Sequence, residues 1–261
     1  MLLRSEGPSV LAIPQQSHAW ISGQLARAWG NDRFPSPEPW EEVCLAAEQH
    51  DIGMAGWDRD PTFNPATGLP YSFLEMPLEV HLGLWDAAPE RVVVQSRYAA
   101  LLVSMHGARL YGRRNLEQLA PEQADAVRSY LERQRAFQRE LIEALSNDSV
   151  SRPSVGDQAL QRNSQLVWTW DFLSLAVCLD WAGRTARDVP TTGGAVDIEL
   201  ERGPRLRTLA LDPWPFRART IPVRCDGRRL AGRLESAQEL AAALARPGGE
   251  VIQFEVLPRS G

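Results

Sequence analysis

A chain of 261 residues can bury one large core, or one core with a small appendage. Its composition, 44% hydrophobic and 23% charged, is that of an ordinary globular protein, and a net charge of −5 offers no general attraction to nucleic acid or to anionic membrane. Every basic residue is arginine, which excludes mechanisms built on a lysine Schiff base or a Walker-type phosphate loop.

The amino-terminal MLLRSEGPSVLAIPQQ starts apolar but has no sustained hydrophobic run before Pro14. The longest apolar stretch, residues 172–179, is far short of the ~20 residues that cross a bilayer. Cys44, Cys178 and Cys225 are odd in number and lack CxxC spacing, which argues against a disulfide scaffold or a zinc ribbon and suits a reducing compartment. The expectation is a cytoplasmic protein.

Helical spacing predicts a first helix over residues 17–30, with Trp20, Leu25 and Trp29 among its apolar positions. FPSPEP follows as a rigid loop. The next helix starts near Pro39, with Glu41 and Glu42 in its first turn where the helix dipole favours them, and ends around Gly53. Residues 58–73, DRDPTFNPATGLPYSF, form a long loop suited to a lid or pocket wall. Further helices are expected over 79–85, 92–111, 121–145 and 157–182. After VPTTGG the texture changes. AVDIELE, LRTLAL, TIPVRC and VIQFEVL read as strands, and SAQELAAALA as a short helix with a Ser236–Glu239 capping box. The expected architecture is mainly α. A helical metal-binding domain spans residues 1–190, and a small β-rich appendage over 191–261 packs on it.

Only four histidines occur, and each sits where a metal ligand could be: His18 in SHAW, His50 in EQHDIGMAGWD, His81 in EVHLGL and His106 in VSMHG. Imidazole and carboxylate together suit Mn, Fe, Co, Ni or Zn. Taken singly, each also reads as something plainer: His50 and His106 as hydrogen-bonded core histidines, His18 as an exposed residue beside Ser17, His81 as a member of an ordinary core helix. Adjacent helical residues diverge by about 100°. His50 and Asp51 therefore share an ion only if it lies between their directions.

Asp171 and Asp180 fall nine residues apart, on opposite faces of one predicted helix. Asp171 has Val167, Trp168, Ser174 and Leu175 around it and would be costly to bury without a cation. Asp180 has Arg184 four residues on, an exposed pairing. Asp171 is therefore the expected ligand. Arg109 falls on the His106 face of its helix and is a candidate for charge stabilisation; Arg97 reads equally as a solvated charge, and Arg113 and Arg114 read as a basic helix end. Asp58 suits either the orientation of a ligand or water, or a turn cap, and Trp57 a packing role.

The order His18, His50–Asp51, His81, His106, Asp171 resembles the HD superfamily of helical metalloproteins. AAEQHDIGMAGWD, LLVSMHG, TWDFLSL and LDPWPF are similar to an HD-related bacterial family of unknown function. That resemblance implies an HD-type helical bundle. It also implies one ion on His18, His50, Asp51 and Asp171, with His81 and His106 available to a second. The expected cofactor is one or two divalent ions (Mn, Fe, Co, Ni, Zn or Mg). The expected function is a metal-dependent phosphohydrolase acting on a small phosphorylated or nucleotide-like substrate, with Asp51, Arg109 and Asp58 in catalytic roles. The alternatives are an HD-type diiron oxygenase cleaving a C–C or C–P bond, and a non-catalytic metal- or nucleotide-binding sensor. No GxSxG elbow, dinucleotide fingerprint or DNA-binding module is visible.

Overall fold

The computed structural model describes residues 1–245 and 249–259. The chain opens with a hairpin, β1 (Leu2–Glu6) and β2 (Ser9–Ile13), turned by Gly7 at φ 62°. Pro14 cannot extend the ladder, and the chain enters α1 (Gln15–Ala28) there. Next come α2 (Trp40–Gln49), the short α3 (Ala55–Arg59) and a minimal hairpin of β3 (Phe63–Asn64) and β4 (Leu69–Pro70). Four long helices follow: α4 (Leu78–Val93), α5 (Arg97–Gly112), α6 (Pro121–Ser146) and α7 (Asp157–Leu179). The carboxy-terminal part holds β5 (Thr185–Thr191), β6 (Gly194–Arg202), β7 (Thr208–Asp212), β8 (Ile221–Leu230), α8 (Ala237–Ala245) and β9 (Glu250–Pro258).

The expected HD-type bundle with a small β appendage is corrected by the sheet. About 51% of the chain is helical, and beside the helices lies a curled seven-stranded sheet of order β1-β2-β8-β9-β7-β6-β5. Five of its six strand pairs are antiparallel, while β7 pairs with β9 in parallel. The hairpin at the amino terminus is part of it, since Val10, Leu11 and Ala12 pair with Leu230, Arg229 and Arg228. Strand β5 shows no clean alternation in the sequence, because a bulge between Ala186 and Val189, with Asp188 at φ 56°, breaks it.

One face of this sheet is apolar. Ile221, Val223 and Cys225 of β8 and Ile252, Phe254 and Val256 of β9 alternate inward with exposed neighbours, and they join the same core as α1, α5 and α7. Helix α7 is buried on most of its circumference, with Leu166, Val167, Trp170, Leu173, Ala176 and Cys178 all inside. A helix covered on several sides need not be amphipathic, and α7 shows little stripe. Among the described residues no helix is long and apolar enough to cross a membrane.

Glu6 stitches the first hairpin to the rest. Its carboxylate accepts from Arg207 at 2.8 and 2.6 Å and from Arg229 at 3.3 Å, with Arg4 at 3.2 Å. The Arg207 hydrogen bonds hold its carboxyl below the ordinary value of 4.5, against the opposing push of burial. A folded-state pKa below the unfolded one contributes stability fully above pH 4.5 and loses it as the pH falls further. Glu6→Gln should cost about 1–3 kcal/mol near neutrality and flatten the acid limb of stability below pH 4.5. Urea denaturation across a pH series checks this, and an unchanged acid limb would contradict it.

Candidate metal centre

Four helices bring the donors together. Helix α1 supplies His18, the end of α2 supplies His50 and Asp51, α5 supplies His106, and α7 supplies Asp171. The helix ends at Gln49; His50 keeps helical angles but Asp51 turns to φ −99°, ψ 16°. Both side chains therefore converge, which two successive helical residues would not do. The turn beyond is fixed by α4. Arg91 donates to the Ile52 carbonyl at 3.0 Å, and a side chain at Gly53 would collide with the Leu84 carbonyl.

Hydrogen bonds assign the imidazole tautomers. His50 Nδ1 donates to the Ala47 carbonyl at 2.8 Å, which leaves Nε2, buried and without a hydrogen-bond partner, to carry either a proton or a metal ion. That nitrogen lies 3.3 Å from Asp171 Oδ1 and 3.6 Å from Asp51 Oδ2. The Ser174 hydroxyl donates to the Asp171 carbonyl at 2.8 Å, so at 2.8 Å it accepts from His18 Nδ1. His18 Nε2 then faces Asp51 Oδ2 at 2.7 Å, within hydrogen-bonding distance. His106 Nε2 lies 3.4 Å from Asp171 Oδ2, its ring packed on Trp85 and Trp168. A ring nitrogen sits this close to a carboxylate oxygen only with a cation between them, a ring proton or a metal ion.

The charges respond accordingly. Burial alone would lower His50, but the carboxylates of Asp51 and Asp171 outweigh it and raise the group to about 9. Burial pushes Asp51 and Asp171 upward, and the facing imidazoles more than reverse this, leaving both below the usual carboxylate range. Burial holds His106 below its ordinary value, with Asp171 offsetting only part of the effect.

The donor set fits a transition-metal ion. His18, His50 and Asp51 form one group and His50, His106 and Asp171 another, with the donor atoms of each within 4.8 Å of one another. Atoms bonded at about 2.1 Å to a common ion stand about 3.0 Å apart in an octahedron and about 3.4 Å apart in a tetrahedron. The 3.3, 3.4 and 3.6 Å separations match those edges, while the 2.7 Å His18–Asp51 contact would have to open. The backbone carbonyl behind His50 and the serine behind His18 are the outer partners that metal-bound histidines require.

The other expected residues fall around this centre. His81 lines the same cavity of about 190 Å³ but belongs to neither donor group among the described residues. Its Nε2 accepts from Trp85 Nε1 at 3.0 Å, and its Nδ1 is 2.6 Å from Tyr111 Oη. Asp58 accepts from the backbone N–H of Gln15 and so caps the first turn of the helix that carries His18. Arg109 donates to Gln165 at 2.6 Å and stacks on Trp168, 4.5 Å from the ring, behind His106. Asp180 pairs with Arg202 at 2.6 Å, while Arg184 lies over Trp181. The loop after α3 becomes the cavity wall through Phe73, Leu74 and Met76.

Three residues of the site, Ser174, Gln15 and Arg114, have no site role in the sequence reading, where Ser174 is only a neighbour of Asp171 and Arg114 only part of a basic helix end. Ser174, one turn after Asp171, carried a spacing signal. So did Gln15, one turn before His18. Arg114 did not: the helix ends at Gly112, and only its continuation over the Tyr111 ring, 5.2 Å away, puts Arg114 on the cavity. A larger groove of about 640 Å³ runs along the sheet beside Arg205 and Arg207, but these arginines are already paired with Glu255 and Glu6.

The chain belongs to the family described as a protein of unknown function, DUF3891, whose model matches residues 1–232. No curated protein and no solved structure matches it.

Replacing Asp51 or Asp171 with Ala should abolish binding of a titrated divalent ion, and Asp180→Ala should leave it intact. Because both His81 nitrogens are engaged, His81→Phe should retain one ion per chain. Metal titration followed by calorimetry reads all four variants. Loss of that ion in His81→Phe or Asp180→Ala would contradict the assignment.

Proposed function

We propose that this protein is an HD-type metal-dependent phosphohydrolase acting on a small phosphorylated or nucleotide-like molecule. One observation supports the reading above others: a buried His/Asp donor set shares its cavity with Arg114, which forms no ion pair or side-chain hydrogen bond among the described residues. A phosphate ester asks for both, since an ion takes part of its negative charge and an arginine takes another oxygen.

A divalent ion held by His18, His50, Asp51, His106 and Asp171 would act as a Lewis acid and bring the pKa of a water towards neutrality. The residues of the chain supply the rest. Arg114 at the mouth holds an anionic oxygen, and Met76, Trp85 and Leu110 exclude bulk water. Burial lowers His81 to about 4, so it stays neutral and adds no charge at the wall. In the reaction a water oxygen bonds to phosphorus and the ester P–O bond breaks. One proton of the water ends on the leaving oxygen, giving an alcohol and inorganic phosphate.

The oxygenase alternative calls on His81 as a ligand to a second ion, and its hydrogen bonds to Trp85 and Tyr111 weigh against that. The sensor alternative needs binding without turnover. A phosphatase and phosphodiesterase screen with Mn, Fe, Co, Ni, Zn and Mg tests the proposal. Turnover is expected with at least one ion, and Arg114→Ala should raise KM about tenfold, the lower end of what a hydrogen bond to a charged group is worth, with kcat little changed. Metal binding with no turnover across the panel would overturn the hydrolase reading in favour of a sensor.

A further inference from the structure

The cavity itself narrows the substrate. Beyond the donor set, His81, Arg114 and Gln15, its wall is built from Phe73, Met76, Trp85, Leu110 and Leu175, with Leu74 at the rim. None of these side chains offers a free hydrogen-bonding group, because the Trp85 indole N–H is already spent on His81. The volume is about 190 Å³, and a cavity of roughly 150 Å³ accommodates a benzene ring. A hydroxylated sugar would leave its hydroxyls facing apolar walls, and a nucleoside would not fit inside.

One polar group on the wall stands apart. Gln15 is 3% exposed, lies in the first turn of α1 and lines the cavity, yet its side-chain Nε2 has no hydrogen-bond partner. Among the described residues lining the cavity, only His50 Nε2 and His106 Nδ1 share that condition. A buried amide N–H without a partner is costly, so its place against the cavity marks it as a donor to a bound ligand. Gln15 is one turn before His18, and its own backbone N–H is taken by Asp58. The side chain is thus held on a capped helix end beside the donor set.

We infer that the cavity selects compact phosphate monoesters with a small aryl or branched alkyl body. Gln15 Nε2 donates to a non-bridging phosphoryl oxygen, and the apolar wall receives the organic group. This specificity rests on the phosphohydrolase reading for its turnover, but the recognition is separable from it. Calorimetry on the metal-loaded protein with two non-hydrolysable probes, phenylphosphonate and 2,3-dihydroxypropylphosphonate, tests the recognition directly. The same protein is then assayed with phenyl phosphate, glucose 6-phosphate and AMP.

Phenylphosphonate should bind at least about tenfold tighter than the hydroxylated probe. Gln15→Met should weaken it by on the order of 10–100-fold, with an unchanged or raised thermal midpoint because a buried unpaired donor is removed. Equal binding of the two probes overturns the inference, as does a Gln15→Met variant that binds like the wild type. If phenylphosphonate binds with this preference but phenyl phosphate is not hydrolysed, the recognition stands and the hydrolase reading falls. If all three esters turn over with equal kcat/KM and the probes bind alike, the hydrolase reading stands and this inference falls.

Discussion

The tautomers of His18 and His50 are the constraint on which the rest of the site depends. Each ring gives its Nδ1 proton to a fixed partner, Ser174 for His18 and the Ala47 carbonyl for His50. Each is left presenting Nε2 to carboxylate oxygens at 2.7 to 3.6 Å. Two carboxylates buried together are tolerable only around positive charge, which ring protons or a metal ion supply. The same arrangement that would be unfavourable in an ordinary core therefore suits the centre to a cation.

The elements behind the site hold that arrangement in place. Helix α7 carries Asp171 and Ser174 on one side while its other faces pack on the sheet strands and on α5. Ser22 of α1 reaches across to Ser174 at 2.9 Å, joining the helix of His18 to that of Asp171. Helix α1 in turn lies against the sheet, where Gln24 exchanges hydrogen bonds with the backbone of Arg224 at 2.8 and 3.0 Å. The sheet is thus a backing plate for the two helices that carry opposite sides of the centre, and the Glu6 cluster fastens its amino-terminal hairpin in place.

The long helices were legible in the sequence because they depend on local spacing, and the donor residues through their inward positions on those helices together with the order they share with the HD superfamily. The choice of Asp171 over Asp180 needed only the helical period and the residues around each, and the structure puts Asp171 among the imidazoles and Asp180 on the surface with Arg202. The sheet was underestimated for the opposite reason. The strands β1 and β2 are five residues each, and their membership depends on pairing with Arg228–Leu230, more than 200 residues away in the chain, which no local pattern reports. The same holds for His81. Its place in the order of histidines was readable, but the Tyr111 hydroxyl that occupies it comes from the next helix.

The central claim is that His18, His50, Asp51, His106 and Asp171 hold a divalent ion. Elemental analysis of protein purified without added metal or immobilised nickel tests it most directly. One equivalent per chain of Mn, Fe, Co, Ni, Zn or Mg is the result this account predicts. No metal on purification and none taken up on titration would contradict it, and two irons per chain would contradict the exclusion of His81 from the centre.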